Sequence, residues 1–278
     1  MRVITEEIIE QAVYNSAKKM CFSTSDKVEK ALKTAYEKET GYAKDALFDI
    51  LQNIEIAKKE HLPLCQDTGI CIVFAEIGGE LVIKGDFEKA VNNGIKRAYA
   101  DEYLRKSVVN SPIVRVNTQT NAPAVIHSKI IRGDGLKITI CPKGAGSENM
   151  GAVKMLSPSD GINGVINFVV ETVKNAGGKA CPPLIVGVGI GGDMEKCALL
   201  SKEALLRDLD DQAPAKEEAD LENLLLEKIN HLNIGTMGLK GKTTALAVKV
   251  NTYPCHIASL PVAVSLMCHA VREIEIEL

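Results

Sequence analysis

Cysteine is the residue type in this chain with the greatest potential for chemistry, because a deprotonated thiol can ligate zinc or an iron–sulfur cluster. The sequence contains eight cysteines, and Cys65, Cys181 and Cys268 stand at or beside predicted junctions between loops and regular elements. It contains no CxxC pair, which disfavours a zinc finger or zinc ribbon. A metal site would therefore take its ligands from distant parts of the chain, and other thiols are expected to be buried.

Two of the cysteines have polar neighbours suited to acid–base chemistry. Gln66 and Asp67 directly follow Cys65 in the turn-rich segment HLPLCQDTG. His256 follows Cys255 in YPCH. Carboxylates and imidazoles are common proton donors and acceptors in active sites. Each pattern also has a simpler interpretation, namely a proline turn with a solvated acid and a structural histidine whose hydrogen bonds are satisfied.

Glycine-rich loops recur near these residues, at Gly144–Gly146, Gly187–Gly192 and Gly235–Gly241. The second loop matches G-x-G-x-x-G, but it lacks the following strand and acidic residue that dinucleotide binding requires. We interpret it as a tight turn at a helix start that can bind an anion. The third loop, GLKGKTT, departs from a nucleotide-binding P-loop because five residues separate Gly235 from Gly241. Lys242 remains available to meet a carboxylate.

The elements that must position these residues follow from hydrophobic periodicity. Residues 5–60 show apolar stripes at helical spacing and predict three helices. Strands and helices alternate afterwards, and SLPVAVSLMCHAVREI is predicted to be a short helix. The expected fold class is α/β or α+β, with a helical N-terminal region followed by a mixed sheet flanked by helices. We expect a single domain over residues 1–278, with residues 1–60 as its helical part.

Composition excludes several classes of protein. The formal net charge of −3 and the absence of tryptophan argue against nucleic-acid binding. No apolar stretch reaches about 18 residues, so no membrane span is expected. The N-terminal sequence lacks the layout of a signal peptide. A cytoplasmic protein without disulfides is therefore the expectation.

Five segments of the chain, taken in order, point to a family. They are PLCQDTG, KGAGSENMGAVKML, ACPPLIVGVGIGGDMEKC, GLKGKTTALAVKV, and YPCHIASLPVAV followed by MCHAVRE. Together they resemble the α region of class I fumarases, which are iron–sulfur fumarate hydratases, and of the related L-tartrate dehydratases. The resemblance covers roughly residues 40–275.

The resemblance implies a 4Fe–4S cluster that is held by three cysteines, with the fourth iron left for substrate. The implied ligands are Cys65, Cys181 and Cys268. Cys255 is a rival for the third ligand, but the family usually has another residue at that position, so we interpret it as non-ligating. The other cysteines match no ligand position and are expected to be packing residues, namely Cys21, Cys71, Cys141 and Cys197.

Further positions match the substrate pocket of the family, whose substrate is a dicarboxylate. A planar guanidinium and backbone amides suit carboxylate binding. The implied substrate-binding residues are Gln66, Arg105, Gly144 and Gly146. Asp67 and His256 are the implied catalytic residues, as polar partners of the departing hydroxyl.

The resemblance also implies a two-subunit enzyme. Single-chain members continue into a second domain that supplies the catalytic base, whereas this chain ends ten residues after Cys268. We expect a separate β subunit and an α2β2 assembly. The expected reaction is the hydration of fumarate to L-malate, a step of the tricarboxylic acid cycle. An L-tartrate dehydratase α subunit is the alternative from the same chemistry, and a non-enzymatic iron–sulfur or metal-binding regulator is the alternative of another class.

Overall fold

The computed structural model describes residues 2–278, and helices and strands occur along this whole range. The helices are α1 (Glu6–Ala17), α2 (Asp26–Lys38), α3 (Gly41–Glu60), α4 (Phe87–Asp101), α5 (Ala145–Glu148), α6 (Gly161–Ala176), α7 (Met194–Ala204) and α8 (Lys216–Asn230). The strands are β1 (Arg2–Thr5), β2 (Ile70–Gly78), β3 (Leu81–Lys84), β4 (Val125–Ile131), β5 (Leu136–Lys143), β6 (Ala152–Leu156), β7 (Leu184–Gly191), β8 (Ala245–Tyr253), β9 (Leu260–Met267) and β10 (Ile274–Glu277). The predicted α/β class is confirmed, and none of the described helices has the length and hydrophobicity of a membrane span.

Two compact units divide the chain. The first unit comprises the chain up to Thr24, Ile54–Ala145 and Arg272–Leu278. The second unit comprises Ser25–Asn53 and Gly146–Val271. The chain passes between the units several times, so neither unit is one continuous segment. That residues 1–278 work as one hydro-lyase domain stays a prediction.

The first unit is built on a sheet with the strand order β10-β5-β2-β4. Its strand β2 pairs in parallel with β4 and antiparallel with β5, and β5 pairs antiparallel with β10. Helices α1 and α4 pack against each other, and their apolar residues join those of the sheet in one core. Helix α4 begins at an N-cap, where the Asp86 carboxylate accepts a hydrogen bond from the Lys89 amide at 3.0 Å.

The second unit is built on a sheet with the strand order β6-β9-β7-β8. Its strand β9 is antiparallel to both of its neighbours, whereas β7 and β8 are parallel. Helix α7 packs on β7 and β9, α8 packs on β8, and α6 packs on α8. Burial of apolar residues from the strands, α6 and α8 forms the core of this unit.

The helix predicted for residues 259–274 is wrong, because this region forms the internal strand β9 of the second sheet and then leads into β10 of the first sheet. Strand β9 occupies Leu260–Met267 and lies between two other strands, so nearly all of its residues are buried. Such a strand is a continuous apolar run without polar alternation, and hydrophobic periodicity cannot distinguish it from a buried helix. The β-branched residues Val262 and Val264 favour the strand that the structure shows.

The G-x-G-x-x-G segment in β7 serves the packing of α7 on the sheet. A Cβ atom at Gly189 would lie 2.0 Å from the Cys197 carbonyl oxygen and 2.6 Å from the Ser201 amide nitrogen. Gly189→Ala is therefore expected to lower the free energy of unfolding by about 3 kcal/mol, because helix and strand must separate to admit the methyl group. Equilibrium urea denaturation measures this loss.

Gly135→Ala provides the matched control, since a Cβ atom at exposed Gly135 meets no atom within 4 Å. We expect that substitution to leave the stability within about 0.5 kcal/mol of the wild type. Equal stability of the two variants would contradict the packing role of Gly189.

Candidate functional site

The eight cysteines are all free thiols, and they differ in their exposure to solvent. The three predicted ligands are partly exposed: Cys65, Cys181 and Cys268. The four predicted packing residues are buried: Cys21, Cys71, Cys141 and Cys197. Burial raises the pKa of Cys21 to about 11 and that of Cys71 to about 12, so both thiols stay protonated near neutral pH. The expectation that these four thiols are packing residues therefore agrees with their burial.

Strand register explains which predicted residues the first unit brings together. Ile70 at the start of β2 pairs with Lys143 at the end of β5. The Cys65 segment leads into β2 and Gly144 follows β5, so both lie at the same edge of this sheet. Ile274 of β10 pairs with Ile140 of β5, which places the preceding Arg272 at this edge as well.

The Asp67 carboxylate is held in a fixed orientation at this edge. Its Oδ1 accepts a hydrogen bond from the Gly69 amide at 3.0 Å, and its Oδ2 accepts one from the Ala145 amide at 2.8 Å. A Cβ atom at Gly144 would lie 3.2 Å from Asp67 Oδ2, so a larger residue there would press on the carboxylate. The Asp67 amide in turn donates to the Cys65 sulfur at 3.4 Å, so the backbone of Asp67 contacts this predicted ligand.

Two buried cations lie at the same edge and were missed by the sequence analysis. Arg272 is 2% exposed and donates from Nη1 to the Asp67 carbonyl oxygen at 2.9 Å. Lys143 is 1% exposed at the end of β5. Charged side chains are seldom fully buried unless they are paired or functional. The available signal was the position of Arg272 in CHAVRE, four residues after Cys268 and directly after Ala270 and Val271.

Gln66 and Arg105, the two predicted substrate-binding side chains of the first unit, are both exposed. The Arg105 carbonyl oxygen accepts a hydrogen bond from Thr68 Oγ1 at 2.8 Å, which ties the Arg105 segment to the Cys65 segment. The first unit therefore gathers Cys65, Gln66, Asp67, Arg105 and Gly144 from three parts of the chain.

Strand register likewise brings Cys181 and Cys268 together in the second unit. Cys181 precedes β7, Cys268 follows β9, and Ile185 pairs with Met267. The Cys181 carbonyl oxygen accepts a hydrogen bond from the His269 amide at 3.3 Å and lies 3.0 Å from His269 Nδ1. Cys181 has the left-handed backbone angles φ 56° and ψ 61°, which are unfavourable for a residue other than glycine and typical of functional positions.

Cys255 and His256 lie at the opposite edge of the same sheet. They follow β8, whose last residue Tyr253 pairs with Gly191 at the far end of β7. Seven strand residues at about 3.3 Å each place this edge about 20 Å from the Cys181 edge. The loop of residues 254–259 joins β8 to β9 with both of its ends at this edge, so its middle cannot extend to the Cys181 edge. The second unit therefore does not bring His256 or Cys255 of a chain to Cys181 and Cys268 of that chain.

The loop that carries His256 makes its own hydrogen bonds. The Ala258 amide donates to His256 Nδ1 at 3.1 Å, so the neutral ring carries its proton on Nε2. The Cys255 thiol donates to the Ser259 carbonyl oxygen at 3.4 Å. Gly146, the remaining predicted residue, is exposed, and a Cβ atom there would lie 3.4 Å from the Lys179 carbonyl oxygen.

Within residues 2–278, no three side chains of the His, Cys, Asp and Glu types converge closely enough to hold a single metal ion. The ligands of an iron–sulfur cluster need not converge in this way, because each thiolate binds a different iron of a multi-atom core. The three partly exposed cysteines have the soft donor chemistry and the access that such a cluster requires. By donor chemistry and exposure, each of these cysteines is suited to such a cluster.

Comparison with known proteins agrees with the motifs. The sequence pattern of the fumarate hydratase (Fumerase) family matches residues 10–277. A protein of Methanocaldococcus jannaschii, provisionally named as an L(+)-tartrate dehydratase subunit alpha, is 43% identical over 97% of this chain and 94% of its own length. The L(+)-tartrate dehydratase subunits alpha of Escherichia coli strain K12 and Shigella boydii are each 32% identical over 89% of this chain and 83% of their own lengths. The predicted resemblance is confirmed, and the chain belongs to the fumarate hydratase (Fumerase) family.

Proposed function

We propose that this chain is the cluster-binding α subunit of a two-subunit hydro-lyase that interconverts fumarate and L-malate. The proposed ligands of its 4Fe–4S cluster are Cys65, Cys181 and Cys268. One observation carries the proposal, namely the Asp67 carboxylate held by two backbone amides only two residues from the accessible Cys65 thiol. A fixed carboxylate beside a thiolate ligand is suited to acid–base chemistry on a group bound to a cluster.

The cluster, when bound, supplies a Lewis-acidic iron that favours departure of a hydroxyl group. Asp67 holds or moves a proton at its carboxylate oxygens, and His256 supplies one from Nε2. Arg105 offers a guanidinium fork for one substrate carboxylate, together with the Gln66 side-chain amide. The backbone amides near Gly144 and Gly146 serve the other carboxylate in this proposal. These roles come from the family resemblance and from the exposure of the side chains.

His256 acts in trans in this scheme. Since about 20 Å separates the two edges of the second-unit sheet, His256 cannot reach the Cys181 edge of its own chain. The proposed α2β2 assembly contains a second α chain, whose His256 completes the site. Closed two-fold symmetry then gives two equivalent sites, each with residues of both α chains.

A β subunit supplies the catalytic base in the proposed enzyme. The M. jannaschii and E. coli relatives are named as alpha subunits, which supports a separate partner chain. Those names also make L(+)-tartrate the second candidate substrate. It differs from malate by one hydroxyl group, and a few pocket contacts decide such a difference. A cytoplasmic location stays a prediction.

The purified chain and its β partner, reconstituted together without oxygen in the presence of iron and sulfide, test the proposal. We expect reversible hydration of fumarate by the pair, and at most about 1% of that rate from the α chain alone, because the base is missing. L-tartrate, assayed in parallel, decides between the two substrates.

Three results would contradict the proposal. Full activity of the α chain alone would refute the two-subunit enzyme. Activity that persists in air without iron would refute the cluster chemistry. If the pair acted on neither fumarate, malate nor tartrate, the hydro-lyase function itself would be wrong.

A further inference from the structure

Three consecutive backbone carbonyls after Cys65 each accept a hydrogen bond from a buried side chain. Arg272 Nη1 donates to the Asp67 oxygen at 2.9 Å. The Tyr99 hydroxyl donates to the Thr68 oxygen at 2.7 Å. Asn121 Nδ2 donates to the Gly69 oxygen at 3.0 Å. The three donors, here called the carbonyl frame, are 2% exposed in the case of Arg272 and 0% exposed in the cases of Tyr99 and Asn121.

The carbonyl frame is unusual for an irregular segment. Loop carbonyls are ordinarily solvated, so they tolerate small shifts of the backbone. Here a shift of residues 67–69 breaks a hydrogen bond from a buried guanidinium, phenol or amide, which is unfavourable for each group. The donors come from α4, from the segment before β4 and from the segment before β10. Distant parts of the first unit therefore converge on three residues.

Asn121 connects the carbonyl frame to the Arg105 segment as well. Its Oδ1 accepts a hydrogen bond from the Ser107 amide at 2.7 Å, while its Nδ2 holds Gly69. The backbone at Asn121 is left-handed, with φ 59°, a conformation that asparagine tolerates better than most residues. The same side chain thus fixes a predicted substrate-binding segment relative to the Cys65 segment.

The donors keep their protons over the working range of pH. Burial holds the pKa of Tyr99 well above its ordinary value, so the phenol remains a donor. The guanidinium of Arg272 remains charged at any pH at which the protein folds. The carbonyl frame is therefore a permanent constraint.

The orientation of the Asp67 carboxylate depends on this constraint. Asp67 Oδ1 accepts a hydrogen bond from the Gly69 amide, and the Gly69 carbonyl oxygen accepts one from Asn121 Nδ2. We propose that Tyr99, Asn121 and Arg272 are positioning residues that set the Cys65 thiol and the Asp67 carboxylate through the backbone of residues 67–69. This inference rests on the proposed hydro-lyase function for its kinetic consequence. A misplacement of about 1 Å in a reacting group costs about 100-fold in rate.

Tyr99→Phe is the sharpest test, because it deletes one hydroxyl and keeps the buried ring. In the reconstituted pair we expect kcat to fall at least about tenfold while KM changes less than about twofold, since the carboxylate is displaced and the substrate contacts remain. Tyr14→Phe is the matched control. It deletes a phenol that donates to Asp101 Oδ2 at 2.6 Å in the same unit, and both constants should stay at their wild-type values.

Amide hydrogen exchange of the full α chain tests the carbonyl frame without an activity assay. The Gly69 amide should exchange at least about tenfold faster in Tyr99→Phe than in the wild type, because its bond to Asp67 opens more often. Tyr14→Phe should leave this exchange rate unchanged. Unchanged exchange at residues 66–69 in Tyr99→Phe would overturn the inference, even if turnover had fallen.

Arg272 offers a rescue experiment that a merely structural role would not predict. Arg272→Lys retains one cationic donor for the Asp67 carbonyl oxygen, whereas Arg272→Met retains only the apolar stem. We expect the lysine variant to keep at least about tenfold more turnover than the methionine variant at equal cluster content. Equal turnover of the two folded variants would count against positioning by Arg272. A wild-type pair without hydro-lyase activity would refute the proposed function, and the exchange data would then decide on the carbonyl frame alone.

Discussion

Cys268→Ser is expected to abolish cluster binding and to lower hydro-lyase activity at least about 1,000-fold, whereas Cys255→Ser is expected to retain both. The structure distinguishes these two thiols clearly. Cys268 follows β9 at the edge where Cys181 precedes β7, and the next residue, His269, contacts the Cys181 carbonyl oxygen. Cys255 lies at the other edge of this sheet, where its thiol donates to Ser259. Of these two thiols, only Cys268 lies at the same edge of the sheet as Cys181.

Iron content and visible absorbance after anaerobic reconstitution measure the cluster directly, before any turnover assay. Cys65→Ser and Cys181→Ser should behave like Cys268→Ser, since a cluster with an open iron needs all three thiolates. Cys255→Ser is the matched control, because it removes an exposed thiol from the same unit. Loss of iron in Cys255→Ser together with full iron in Cys268→Ser would show that the ligand assignment is wrong.

Local patterns were sufficient to predict much of the fold. Helices α1, α2 and α3 have apolar stripes and charged outer faces, and helical periodicity reports such elements faithfully. Strand β9 was misassigned because burial on both faces removes the alternation that identifies a strand. The glycines of β7 resembled a ligand-binding turn, but they accommodate the packing of α7 on the sheet. Sequence spacing does not encode the close approach of two backbones.

The candidate site was predictable only where its parts are adjacent in the chain or belong to a family motif. Gln66 and Asp67 follow Cys65 directly, so the backbone itself keeps these three residues close together. The hydrogen bond from Arg272 to Asp67 spans 205 positions, and it depends on the pairing of β10 with β5. Strand order cannot be deduced from one sequence, so the buried donors around Asp67 stayed hidden. For the same reason, the separation of His256 from Cys181 was not foreseen.

Asp67→Ala and His256→Ala are each expected to lower turnover by about 100-fold to 10,000-fold while the cluster absorbance stays intact. Asp67→Ala removes a carboxylate whose two oxygens are aligned by the Gly69 and Ala145 amides. Asp86→Ala controls for the loss of a backbone-bonded carboxylate, because Asp86 caps α4 in the same unit. We expect that control to lose about 1 kcal/mol of stability and to keep its turnover.

Mixing the two inactive variants is expected to restore activity. If each site takes Asp67 from one α chain and His256 from the other, a mixed assembly contains one site with both wild-type residues. Random pairing makes half of the α dimers mixed, and one of their two sites works, so about a quarter of the wild-type turnover should return. Differently tagged variants, co-expressed with the β subunit and purified through both tags, isolate the mixed assembly, which should reach about half of the wild-type turnover. A purified mixed assembly as inactive as its parents would show that His256 does not act across the α chains, and unchanged turnover in both single variants would refute their catalytic roles altogether.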